Sequence, residues 1–193
     1  MNKILLSAAA FALALPTAVS AQAAGSILIV DSDRVMSECT ACKSAAAQLQ
    51  SRQATLRARA QTLQTQLQTE GKPIQAAVDA LNGKAPDAAL QAKITAYQTK
   101  ERSAQQELAT STRTLESTAA NVQQQIGNKL VTIVETVRAR HNAAIVLAKN
   151  STIANDNSID VTNEVLTNLN TQLPAVSVTP LPQQQQQQTP QGR

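Results

Sequence analysis

The feature that most limits what this chain can become is a heptad register running between residues 42 and 141. In its first half Leu49, Leu56 and Leu63 fall seven apart, interleaved with Ala60, Leu67 and Ile74. In its second half Leu90, Ile94 and Tyr97 are followed by Ala104, Leu108, Leu115, Val122, Ile126, Ile133 and Val137, with Glu101 and Ser111 interrupting. Apolar positions that alternate by threes and fours put one narrow stripe on a helix, the pattern of a coiled-coil seam. Between the halves, Asn82-Gly83-Lys84-Ala85-Pro86 supplies turn chemistry where a helix cannot continue, and Asp87 is placed to cap the helix that follows. Two seams joined by a turn predict an antiparallel helical hairpin, an arm of roughly 60 Å if each helix has about 40 residues. Gly71-Lys72-Pro73 is expected to break or bend the first helix before the tip, as a hinge or as a tolerated kink.

The arm is flanked by runs of a different kind. Ile27-Leu28-Ile29-Val30 precedes it, and Ala143-Ala144-Ile145-Val146-Leu147 follows it, both with the length and branching of buried strands. Lys149-Asn150-Ser151 reads as a turn, with Thr152-Ile153-Ala154 returning as a partner strand. After Asn155-Asp156-Asn157, Asp160 or Thr162 can cap a short helix carrying Val161, Val165, Leu166 and Leu169. The fold class expected is α+β and mostly α, with a long coiled-coil hairpin projecting from a small β body.

That body is too small to close alone. Of the two aromatic residues, Phe11 lies in an apolar leader and Tyr97 in the arm. Aromatics supply the largest burial per residue in most cores, and oligomerisation is the usual remedy for an undersized one. Three short strands would also expose edges unless other copies covered them. An obligate homo-oligomer is expected, with Ile27, Leu28, Ile29, Val30, Ile145, Val146 and Leu147 as its core.

The two ends read differently. Lys3, the apolar stretch Ile4 to Leu15, Pro16 and the small residues up to Ala23 form a signal peptide pattern, so the mature protein is expected to be exported and soluble. At the other end Pro174, Pro180, Pro182 and Pro190 bracket the run Gln183 to Gln188, a composition expected to be disordered. The boundaries read as 1–23 signal peptide, 24–42 first strand and leading helix, 43–141 arm, 142–172 β-hairpin and terminal helix, and 173–193 Pro/Gln-rich tail.

Charge separates along the same lines. From Lys43 to His141 there are 13 basic and 7 acidic residues, so the arm is cationic. The rest of the mature chain, with 3 basic and 6 acidic residues, is mildly acidic. A cationic arm attracts acidic protein segments and the phosphates of anionic lipid or lipopolysaccharide. Nucleic acid is not expected as a partner, because export and the lack of stacking aromatics argue against it. Near the arm's tip Ile74, Ala77, Val78, Leu81, Ala88, Ala89 and Leu90 form an apolar patch beside Lys72, Lys84 and Lys93. They cannot all face the seam. Lys72, Ile74, Val78, Leu81, Lys84, Leu90 and Lys93 are therefore the candidate contacts for partly unfolded chains.

Cys39 and Cys42 form a Cys-x-x-Cys without the βαβ context of a thioredoxin motif. As half of a zinc site the pair lacks a complement, since His141 is the single histidine. A local disulfide is the preferred reading. No Gly-rich phosphate loop and no nucleophile beside His141 is visible, so neither an enzyme nor a cofactor is expected.

The order of these parts resembles the Skp/OmpH family of periplasmic chaperones over about Ser26 to Leu169. The resemblance is carried by Ile27-Leu28-Ile29-Val30-Asp31, the heptad hairpin, Lys129-Leu130-Val131, Ala144-Ile145-Val146-Leu147 and the closing Asp160-Val161-Thr162-Asn163-Glu164-Val165-Leu166. It implies a jellyfish-like trimer with a β-rich body shared between subunits, and arms enclosing a cavity that holds unfolded outer-membrane proteins without ATP. Cys39-Cys42 and the glutamine-rich tail depart from that pattern. A coiled-coil envelope spacer without chaperone activity is the alternative.

Overall fold

The computed structural model describes residues 25–182. The expected signal peptide and the glutamine run lie outside the described residues. Strand β1 (Ser26–Val30) lies parallel to β2 (Ala143–Ala148), with Ile27 opposite Ile145, Leu28 opposite Val146, Ile29 opposite Leu147 and Val30 opposite Ala148. Parallel neighbours cannot be joined by a tight turn and need a crossover. Here the crossover is residues 31–142, the whole arm.

The expected return strand at Thr152-Ile153-Ala154 does not form, and the sheet has two strands. Local turns take up that segment's polar groups instead. The backbone N–H and hydroxyl of Thr152 both donate to the carbonyl of Lys149, at 3.1 and 2.8 Å, closing a 3-10 turn over Lys149–Ser151. A second such turn at Asn157–Ile159 is capped by Asp156, and Ile153 is left fully exposed. The chain rejoins the sheet at one point, where Ile29 bridges Asp160 and the Val161 N–H donates to the Ile29 carbonyl at 2.9 Å.

Helix α1 (Ser32–Glu38) starts at Asp31, whose carboxylate accepts from the Arg34 N–H, and stops at Cys39 in extended conformation. Helix α2 (Thr40–Asp79) begins at once, with a disulfide joining Cys39 to Cys42 across the junction. Asn170 from the far end of the chain accepts from the Thr40 N–H at 2.8 Å and so completes this helix start. Orphan donors in the first turn are thus met by side chains.

Gly71-Lys72-Pro73 neither breaks α2 nor ends it; the helix runs through Pro73 to Asp79. A proline inside a helix costs one backbone bond and a clash with the carbonyl four residues back. The long helical stretch before it and the facing helix keep α2 continuous there. Gly71 has a different use. A methyl group there would lie 2.8 Å from the Tyr97 hydroxyl oxygen, so glycine makes room for the ring to lie across α2. The tip turns on Asn82 and Gly83, both with positive φ (48° and 84°), conformations that glycine and asparagine adopt most easily.

Helix α3 (Ala88–Arg140) is capped by Asp87, whose side chain accepts from the Leu90 N–H at 2.7 Å, and it ends at Asn142 in the left-handed region (φ 51°). None of the seam positions named from the sequence is fully exposed, and the buried ones gather toward the body. Ile133 and Val137 of α3 join Val35, Ala41, Ala45, Leu28 and Val30, together with Val165 and Leu169 of helix α4 (Thr162–Gln172), in one core. A third layer sits on the hairpin only at its base.

Residues 173–182, expected to be disordered, instead lie along α3 without regular structure, bending at Pro174 and Thr179. The Gln125 side-chain amide exchanges two bonds with the Ser177 backbone, both 2.9 Å, and Asn121 donates to the Thr179 carbonyl at 2.9 Å. Val178 is buried in the core cluster. Prolines prevent this segment from entering a helix or sheet, yet its carbonyls still accept from side chains, and that long-range match decides its placement.

Candidate functional site

The arm's register is set by contacts across the two helices. Arg59 grips Glu107 with two bonds of 2.6 and 2.9 Å, Lys100 pairs with Glu70, and Tyr97 lies on Gly71. The Arg59 guanidinium holds the Glu107 carboxyl below its usual pKa, chiefly through the hydrogen bond, and Arg59 is raised in turn. Both ion pairs are exposed, and pairs of that kind fix geometry more than they stabilise.

Beyond Leu63 and Ala104 no seam residue is fully buried. Ile74, Val78, Leu81, Leu90, Ile94 and Tyr97 are each half-buried, while Lys72, Lys84 and Lys93 are exposed. Two open grooves of about 600 Å³ each flank the seam here. Ile74 and Tyr97 line both grooves and form the ridge between them. On one side Pro73, Ala77, Leu90, Lys93 and Lys100 complete the wall; on the other it is Leu67, Gly71, Lys72, Val78 and Ile94. The structure thus brings five of the seven candidate contacts, Lys72, Ile74, Val78, Leu90 and Lys93, into these grooves. Leu81 and Lys84 sit past them, at the turn. The sequence reading placed Tyr97 in the seam and missed that it divides the grooves; its being the arm's one aromatic was the available signal.

In the body, Ile27 and Ile145 lie opposite each other on one face of the sheet and are 48% and 44% exposed, an apolar pair facing outward. Leu28, Ile29 and Val30, expected to be covered by other copies, are already buried within the single chain, because α4 and the 157–161 segment close over β1. Val146 and Leu147 are half-buried. What a partner could cover is therefore narrower than the sequence suggested.

A polar knot locks this body. Thr162, 1% exposed, accepts from the Asp31 N–H at 2.9 Å and donates its hydroxyl proton to Asp160 at 2.5 Å. Lys149 donates to the other Asp160 oxygen at 2.8 Å. Those bonds hold the Asp160 carboxyl down to about 2, the Lys149 bond contributing most. Asp160 also accepts from the Thr162 N–H, so it serves the start of α4 from just outside the helix. At the arm's base, Arg140 and His141 both reach Glu164 of α4, at 2.5 and 2.8 Å. His141 thus joins two helices.

The succession of strand, hairpin arm, strand and closing helix matches the model of a known family, the outer membrane protein (OmpH-like) family, over residues 26–169. The chain belongs to the OmpH-like family. No curated protein sequence matches it. Among solved structures it is similar to a candidate outer membrane chaperone (OmpH-like) from Caulobacter crescentus CB15. The identity is 18% and the TM-score 0.67, covering 93% of this chain and 99% of the Caulobacter one. At that identity the likeness establishes the OmpH-like fold. Among the described residues no helix is long and apolar enough to cross a membrane, and no group of His, Cys, Asp and Glu is arranged to hold a metal ion.

Proposed function

We propose that this OmpH-like protein is an ATP-independent periplasmic holdase, which keeps unfolded outer-membrane proteins from aggregating in a cavity between the arms of a homotrimer. The observation that carries the reading is the outer half of the arm. Its apolar side chains are half-covered, open grooves flank them on two sides, and lysines stand beside them. A surface of this kind makes many weak contacts and no single tight one, as a chaperone that must release its client requires. Binding stronger than the client's own folding would trap it. The cationic arm adds long-range attraction for acidic clients, and peripheral contact with anionic lipid or lipopolysaccharide follows from the same charge. The outward Ile27 and Ile145 pair supports a shared body, since exposed apolar surface on a sheet marks an interaction site. The description of the Caulobacter protein as a candidate chaperone agrees with this reading.

The test is dilution of a urea-unfolded outer-membrane barrel protein into buffer containing the mature chain, without nucleotide. Light scattering after size exclusion should show a discrete soluble complex and suppressed turbidity. A trimer that leaves the client to aggregate would replace the holdase with an envelope spacer.

A further inference from the structure

The segment after α4 shows how this arm can hold an extended polypeptide. Gln125, Asn121 and Ser117 stand four apart on α3, in one row. Gln125 donates to the Ser177 carbonyl and accepts from the Ser177 N–H, the pair of bonds that a neighbouring strand would exchange with that residue. Asn121 donates to the Thr179 carbonyl, and the Ser117 hydroxyl accepts from the Leu181 N–H at 3.0 Å. From Ser177 through the bend at Thr179 to Leu181, every second residue of this segment thus meets every fourth residue of the helix. The match is metrical. Four helical residues rise about 6 Å, and two extended residues advance about 6.6 Å. All these bonds go to backbone atoms, so the row reads extension and not sequence. On the other parity, Val176 and Val178 fall in the same apolar cluster as Val122 and Ile126, the row beside it.

We propose that this face of α3, from Ser117 to Gln125, is a docking groove for extended polypeptide with apolar residues at alternate positions, and that residues 173–182 occupy it in cis until an unfolded client segment displaces them. The idea deepens the holdase reading and rests on it for the identity of the client. The resident segment is suited to its place. Pro174, Pro180 and Pro182 favour extension and lower the entropy cost of docking. They also remove N–H groups, so the segment cannot seed a growing sheet while it waits. A client strand rich in valine and aromatics keeps the bonding groups that the prolines give up. Tethering raises the resident's effective concentration, so a client must compete, and engagement stays reversible.

The test uses the full mature chain and, as probe, a fluorescein-labelled peptide with alternating valine and threonine, read by anisotropy. Releasing the tail with V176D/V178D should tighten peptide binding roughly tenfold, because the competing segment is gone. Adding Gln125→Leu to the released variant should cancel that gain, with circular dichroism and elution volume unchanged. No tightening on release, or a gain that survives Gln125→Leu, would overturn the groove. A measurement without substitution completes the test: amide exchange at Ser177 and Leu181 should be slow in the free protein and fast when an unfolded barrel client saturates it. Protection that persists with client bound would overturn the displacement. If the wild-type chain fails to suppress aggregation while the released variant binds peptide through Gln125, the holdase reading falls and the groove stands. The reverse pair of results removes the groove alone.

Discussion

The base and the tip of the arm are built from the same heptads, yet only one of them is a core. At the base, Ile133 and Val137 are 1% exposed, because α4 and the strands cover the hairpin from the side. Toward the tip, Ile74, Leu90 and Tyr97 hold equivalent seam positions and stay half-exposed. A single apolar stripe zips two helices together but cannot enclose them; enclosure needs a third element. The chain spends its third layer on one end. Burial is concentrated in the body and its junction with the arm, and half-exposed apolar surface is left toward the tip.

The largest expected effect tests this contrast directly. Ile133→Ala should cost about 3 kcal/mol in urea unfolding at fixed protein concentration, and Leu90→Ala about 1 kcal/mol, since only the first opens a cavity. Equal losses would mean that the tip is as well packed as the base. Next comes acid. Asp160 ionises near 2 in the folded body against an ordinary value of 3.8, so its stabilisation is fully present above about pH 4 and drains away as pH falls toward 2. The loss should be on the order of 2 kcal/mol, and Asp160→Asn should flatten that limb of the stability profile. A profile unchanged by the substitution would place the acid sensitivity elsewhere.

Two glycines sharpen the comparison further. An added methyl at Gly25 would meet the Ala144 side chain at 2.6 Å and its backbone nitrogen at 2.9 Å. At Gly71 it would meet only the end of the Tyr97 ring. Gly25→Ala should therefore destabilise by about 1–2 kcal/mol, because backbone cannot yield. Gly71→Ala should change stability by less than about 1 kcal/mol, helix propensity offsetting the displaced ring. Thermal melts of the two variants read the difference. The smallest effect belongs to the exposed Arg59–Glu107 pair. Glu107→Gln should leave the melting temperature nearly unchanged and slightly less sensitive to salt.

The arm was legible because its signals are local. Heptads, the Asn82-Gly83 turn and the Asp87 cap act within a few residues of themselves, and they appear where the spacing placed them. The pairing of β1 with β2 was harder. Both runs look like strands, but the choice between a hairpin partner at Thr152-Ile153-Ala154 and the distant β1 depends on turns that satisfy Thr152 locally. A break at Pro73 does not occur for a related reason: a breaker acts against its surroundings, and here a long helix on one side and a facing helix outweigh it, so α2 continues to Asp79. The segment after Leu173 was the least legible. Its prolines exclude helix and sheet, and nothing nearby announces that Gln125, Asn121 and Ser117 will supply bonds to its backbone. Lys72, Ile74, Val78, Leu90 and Lys93, which line the two grooves, carry their charge or apolar character in the sequence itself. The ridge made by Tyr97 cannot be read that way, because it depends on the space left by Gly71 across the seam.

The parallel pairing of β1 with β2 also orders events in time. Free in solution, the ends of residues 31–142 would have to find each other through a long, costly loop closure. Once the hairpin zips from its turn, those ends arrive side by side and the closure is nearly complete. The arm is thus the scaffold on which the body is assembled: zipping the hairpin carries β2 to β1.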